Sequence, residues 1–97
     1  ESFLDCQVRT MTFMKELLSR GDHKSYVIVS HGAALRTIIC AMIDIPLSRS
    51  WNMGLSNASI TEIRHFVGEN NMNDMNMLFS LNQIAHLADT ATSHLPK

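Results

Sequence analysis

The chain has 97 residues, 45% of them hydrophobic, enough to bury one small core and no more. Its formal net charge of −1, with the Lys and Arg residues scattered, excludes nucleic acid and an anionic membrane surface as main partners, since both need concentrated cations. Cys6 and Cys40 show neither Cys-x-x-Cys nor Cys/His spacing, so no disulfide framework, metal site or cofactor is expected. Reduced thiols, the lack of an apolar run of about 18 residues and the lack of a signal pattern predict a soluble, cytoplasmic protein.

Ser2 followed three residues later by Asp5 resembles a capping box with the shorter acid, and it opens a helical pattern at Leu4, Val8, Met11, Met14 and Leu18. The helix is expected to run to about Arg20, with Gly21 as its C′ residue and Asp22-His23-Lys24 as a polar turn. Because the chain starts within a capping signal, without an initiator Met, it reads as cut from something longer. The apolar run Tyr26-Val27-Ile28-Val29 then predicts a buried strand ending in Ser30-His31-Gly32. In open α/β sheets ligands sit beyond the carboxyl ends of the strands, so His31 occupies a functional position by topology. Gly32 permits a tight turn and close approach, and the amides of Gly32 and Ala33 at a helix start beside an imidazole make a candidate phosphate site. A single histidine after a strand is also a common hydrogen-bonded structural residue.

Leu35, Ile38, Ile39 and Met42 step by three and four, giving a second amphipathic helix that the approach to Pro46 must end. Leu47 to Asn57 lacks a period and reads as a long loop across the sheet mouth, with Arg49 and Trp51 at a substrate entrance or Trp51 as a partly buried anchor. Ser59 to Val67 is β-branched. Met75, Met77, Phe79 and Leu81 alternate with Asn76, Leu78, Ser80 and Asn82. Gly68 to Asp74 is then a hairpin turn. Asn57 reads as a local turn residue or a hydrogen-bonding group of the site, Arg9 as a partner for Asp5 or a substrate contact, and the methionines as core filler. Residues 1–87 are one portion of a domain, and 88–97 a polar tail expected to be flexible.

The order Glu1-Ser2-x-x-Asp5-x-x-x-Arg9, an apolar strand into SHGAALR at Ser30 to Arg36, SNASIT at Ser56 to Thr61, and a strand into Asn82 with His86-Leu87 resembles the C-terminal half of a histidine phosphatase of the phosphoglycerate mutase-like superfamily. The resemblance implies the C-terminal part of a three-layer αβα fold: helix, strand, helix, then a strand pair, without the first strand. It further implies a phosphatase or phosphomutase acting on small phosphorylated metabolites through a phosphohistidine, with His31 as the second, phosphate-contacting histidine and His86 structural. The family's nucleophile lies in an Arg-His-Gly motif that this chain does not contain, nor does it hold a segment for the family's mid-chain acid. Gln83 stands where many relatives have Asp.

Two classes of function therefore remain: a portion of a phosphohistidine enzyme, or a non-catalytic remnant that binds phosphate or another anion at the same place. By the resemblance, the absent strand lies between the strand ending at His31 and the hairpin, which leaves backbone groups for an N-terminal segment or a second copy of the chain to pair.

Overall fold

The computed structural model describes residues 2–87; Glu1 and the expected tail at 88–97 lie outside them. The chain divides into two compact units, Glu1–Met53 and Gly54–Lys97. The first carries helices α1 (Phe3–Ser19) and α2 (Gly32–Met42) and a 3₁₀ turn at Leu47–Asn52; the second carries strands β1 (Ile60–Phe66) and β2 (Met75–Gln83) and a short 3₁₀ turn at Ala85–Leu87. This α/β content is compatible with the C-terminal portion of a phosphoglycerate mutase-like fold.

Helix α1 starts where its sequence signals it. The Asp5 amide donates to Ser2 Oγ at 3.0 Å and the Ser2 amide to Asp5 Oδ2 at 3.2 Å, so two otherwise orphaned donors are satisfied reciprocally. Beyond the C-cap Arg20, Gly21 takes φ +58°, a left-handed conformation that costs glycine little. Met14 and Leu17 of α1 pack with Ile38 of α2, and Met11, Ile28 and Met42 flank them.

Polar groups also join the two helices. Thr37 is fully buried; its hydroxyl donates to Ala34 O at 2.6 Å and shares a 2.8 Å hydrogen bond with the Thr10 hydroxyl. Gln7 Nε2 donates to Thr37 O at 3.0 Å. The buried hydroxyl and carbonyl of Thr37 therefore both have partners, as burial demands. Cys40, also fully buried, has its thiol pushed up by desolvation, which keeps it protonated and inert.

The expected buried strand at Tyr26–Val29 is not formed: residues 21–31 carry no regular secondary structure, and Val27 and Val29 are 93% and 90% exposed. Strands exist through ladder hydrogen bonds, and in the described part of the first unit no second strand offers them. The alternation survives nonetheless, with Ile28 turned to the helix core between the two exposed valines. Leu47–Asn57 also differs from the expected irregular loop. Its first six residues wind into the 3₁₀ turn, closed by Arg49 N–H to Pro46 O at 2.9 Å and Met53 N–H to Ser50 O at 3.4 Å.

Strands β1 and β2 form the expected antiparallel hairpin, pairing Phe66 with Met75 and Arg64 with Met77, and the register shifts between Ile60 and Ile63. Its turn uses Asn70 and Asn71 at φ +52° and +68°, and the Gly68 amide donates to Asp74 Oδ1 at 2.8 Å. A Cβ at Gly68 would lie 2.0 Å from Met72 O, so only glycine fits. The apolar face assigned from alternation is the more exposed one: Met75, Met77 and Phe79 face outward, while Asn76, Leu78 and Ser80 are half-buried. Arg64 covers Phe79, its Cζ 3.4 Å from the ring centroid.

Below the hairpin the two motif segments hold each other. Asn82 Oδ1 accepts from the Ser56 amide at 2.7 Å, the Asn82 amide donates to Thr61 Oγ1 at 3.2 Å, and Asn82 itself sits at φ +54°. Ser59 N–H closes a turn on Ser56 O at 3.1 Å, and His86 Nε2 donates to Ala58 O at 2.8 Å within that turn. Asn57 occupies this turn, which His86 braces through its bond to Ala58 O.

Three outcomes are expected. Thr37→Val, which keeps shape but removes the hydroxyl's bonds to Thr10 Oγ1 and Ala34 O while Thr10 keeps its bond to Gln7 O, costs about 1 kcal/mol by urea unfolding, and the Thr10→Val/Thr37→Val double variant costs less than the sum. Asn82→Ala loses one hydrogen bond and strains a left-handed backbone, a cost of about 2 kcal/mol, whereas Asn82→Asp keeps the acceptor and costs less; hydrogen exchange at Ile63 and Leu78 reads both. The third concerns Tyr26, the one tyrosine, whose hydroxyl donates to the Asp22 carboxylate. That bond holds the phenol above its ordinary range and the carboxyl below its own. The bond is present above the ordinary carboxylate pKa and is lost as pH falls through the lowered one; on the alkaline side it is present below the ordinary phenol pKa and lost as pH rises through the raised one. The ultraviolet titration of Tyr26 therefore has its midpoint above about 10, falling toward it in Asp22→Asn.

Candidate functional site

Of the residues singled out in the sequence, His31, Gly32 and Ala33 form the start of α2, while Arg9, Arg49, Trp51, Asn57 and His86 lie on other segments. His31 is its N-cap, in extended backbone at φ −94°, ψ 159°, and its side chain is exposed and makes no capping hydrogen bond. The first intrahelical bond runs from Leu35 N–H to His31 O at 2.8 Å, so the amides of Gly32, Ala33 and Ala34 precede any intrahelical acceptor. The first turn of α2 holds no acidic residue. Helix α1 satisfies the equivalent groups with its own Ser2 and Asp5; α2 leaves them open, with the positive end of the helix dipole beside an imidazole.

An open cleft of about 410 Å³ is lined by Arg9, Thr10, Phe13, Val27–Ser30 and Ile38; neither His31 nor the first turn of α2 is among its lining residues. Arg9 Nη2 approaches Cys6 Sγ at 3.7 Å, a local contact one turn back along α1. Trp51 projects from the 3₁₀ turn, 68% exposed, with the Phe3 ring stacked on it at 6.3 Å.

Arg36, at the end of the SHGAALR segment, has no role that the sequence pattern alone marks. In the structure its guanidinium lies over the Trp51 ring, Cζ 4.2 Å from the centroid, and Nη2 donates to Met53 O at 3.2 Å. The available signal was the helical spacing from Gly32 to Arg36, which puts the side chain back over the first turn. Asn57 and His86 lie in the second unit, within the turn described above. Among the described residues no three His, Cys, Asp or Glu side chains are placed to hold a metal ion, and no helix is long and apolar enough to cross a membrane.

Comparison with known proteins gives this site its context. Residues 1–78 match the family model of the histidine phosphatase superfamily (branch 1). Two similar proteins come from Hydrogenobacter thermophilus. One carries the provisional name phosphoserine phosphatase 2 and is 34% identical over 86 residues, covering 89% of this chain and 39% of that protein. The other is named phosphoserine phosphatase 1 and is 30% identical over 89 residues, covering 92% of this chain and 39% of that protein. The chain spans about two fifths of the length of these relatives. With a family match over most of its residues, from the capping box of α1 through the His31 turn into β2, the chain belongs to branch 1 of the histidine phosphatase superfamily.

Proposed function

We propose that this chain supplies one wall of a phosphatase site, on which His31 and the amides of Gly32 and Ala33 receive the phosphate of a small phosphomonoester. The observation that carries the reading is the uncapped start of α2 with an exposed histidine as its N-cap, in a chain of this family. Phosphoryl transfer is mainly positioning and charge stabilisation, so it needs donors convergent on the equatorial oxygens and an in-line nucleophile. The His31 wall provides donors of the first kind. The nucleophile, a histidine that takes the phosphoryl group covalently, and the acid that protonates the leaving oxygen come from sequence outside these 97 residues.

The names of the two relatives favour a phosphorylated amino acid, phosphoserine, as the substrate class. A soluble, cytoplasmic setting suits such a substrate. The Tyr26–Ser30 segment, apolar yet without regular secondary structure here, is the place for a further strand to pair, contributed by an N-terminal segment or by a second copy of the chain. The same open helix start also supports the second reading, in which the chain binds an anion without turning it over.

In a protein that joins this chain to a strand ending in Arg-His-Gly, His31→Ala lowers phosphoserine turnover by at least about a hundredfold, the scale of losing one transition-state charge stabiliser. His86→Ala acts on stability, through Ala58 O. Steady-state kinetics corrected for folded fraction separate the two; equal losses of turnover remove the basis for placing His31 in the site.

A further inference from the structure

Gly32 opens α2 in helical backbone, without the positive φ that makes glycine necessary at Gly21. What it lacks is space. An ideal Cβ at this position would lie 3.0 Å from Arg36 Nη1, closer than ordinary van der Waals contact allows. The same guanidinium has Nη2 on Met53 O at 3.2 Å and its face on Trp51 at 4.2 Å, while Nε is buried without an acceptor. One planar cation thus touches the first turn of α2, the ring of the 3₁₀ turn and the carbonyl that follows it.

That placement has the wrong sign for the helix alone. A cation over a helix N-terminus opposes the macrodipole, and no first-turn acid offsets it. The indole face and the Met53 carbonyl supply part of the compensation, and an anion at the His31 turn would supply the rest. Lysine could not replace the guanidinium, because a point charge on a flexible stem does not stack on a ring and bond a carbonyl with a fixed fork.

We propose that Arg36 is a positioning residue that clamps the first turn of α2 to the Leu47–Met53 segment, and that Gly32 is glycine to make room for it. Through the clamp, Arg36 fixes the directions in which the Gly32 and Ala33 amides point. Its consequence for phosphate rests on the function proposed above; the clamp itself does not. A methyl group at Gly32 displaces Nη1 by a few tenths of an ångström, and the Nη2 bond, already at the long end of its range, has little length to give.

Trp51 is the chain's one tryptophan, so its fluorescence reports the clamp directly. The test compares the purified chain with Arg36→Met, Arg36→Lys, Gly32→Ala and Trp51→Leu. The readouts are Trp51 emission, the amide resonances of Gly32 and Ala33 without anion, and the dissociation constant for inorganic phosphate, with circular dichroism recording helix content. Both Arg36 variants and Gly32→Ala shift the emission, all four variants move the two amide resonances, and Arg36→Met weakens phosphate binding by about tenfold. Arg36→Lys does not restore it. Unmoved amide resonances in Arg36→Met or Trp51→Leu at unchanged helix content overturn the clamp, as does full rescue by lysine. If the Arg36 variants fail to fold, the exposed Trp51→Leu decides on the amide resonances alone. Absence of phosphate binding by the unsubstituted chain counts against the functional reading, and the emission and amide readouts still judge the clamp.

Discussion

The packing of α1 on α2 is the interaction on which the rest of the first unit depends. It combines a small apolar contact of Met14, Leu17 and Ile38 with a polar tie at Thr37, whose hydroxyl and carbonyl both engage α1. Burying a few side chains this size contributes about 1.5–3 kcal/mol each, before the entropy of ordering them is subtracted. A core so small leaves little margin, and directional bonds at Thr37 fix the rotation of α2 that apolar contact alone would leave loose. That rotation sets where His31, Gly32 and Arg36 point. The position of the site is thus a consequence of groups one to two turns further along the helix.

Local chemistry was legible in the sequence. The Ser2/Asp5 box, the Gly21 terminus and the Asn-rich hairpin turn each depend on a few adjacent residues, and each is found where the pattern places it. The strand pair followed from the same reading, and the family resemblance carried the α/β fold class. What failed was non-local. Tyr26–Val29 has the composition of a buried strand, yet a strand requires a neighbour, and composition carries no information on whether one is present. Met75, Met77 and Phe79 were read by alternation alone; the period identified two faces correctly and could not say which would be the more covered.

The candidate site was half legible. His31 and Gly32 stood out because an apolar run ending in Ser-His-Gly is a candidate site pattern, and His31 is the exposed N-cap of α2. Arg36 did not stand out, because an arginine on an amphipathic helix ordinarily reads as a solvated charge. Its placement becomes visible only when the space above Gly32, the Met53 carbonyl and the Trp51 ring are seen to meet at one guanidinium. Helix α1 closes its own N-terminus with Ser2 and Asp5, while α2 leaves its amides open and sets a cation beside them. The contrast within one small unit is the physical core of the phosphate-binding account.

The most direct measurement is a titration of the isotope-labelled chain with inorganic phosphate, followed by amide and imidazole resonances. The account predicts saturable shifts centred on His31, Gly32 and Ala33, absent in His31→Ala, while the amides at the capped start of α1 stay in place. Shifts spread evenly over exposed amides, or an unchanged response in His31→Ala, would contradict it.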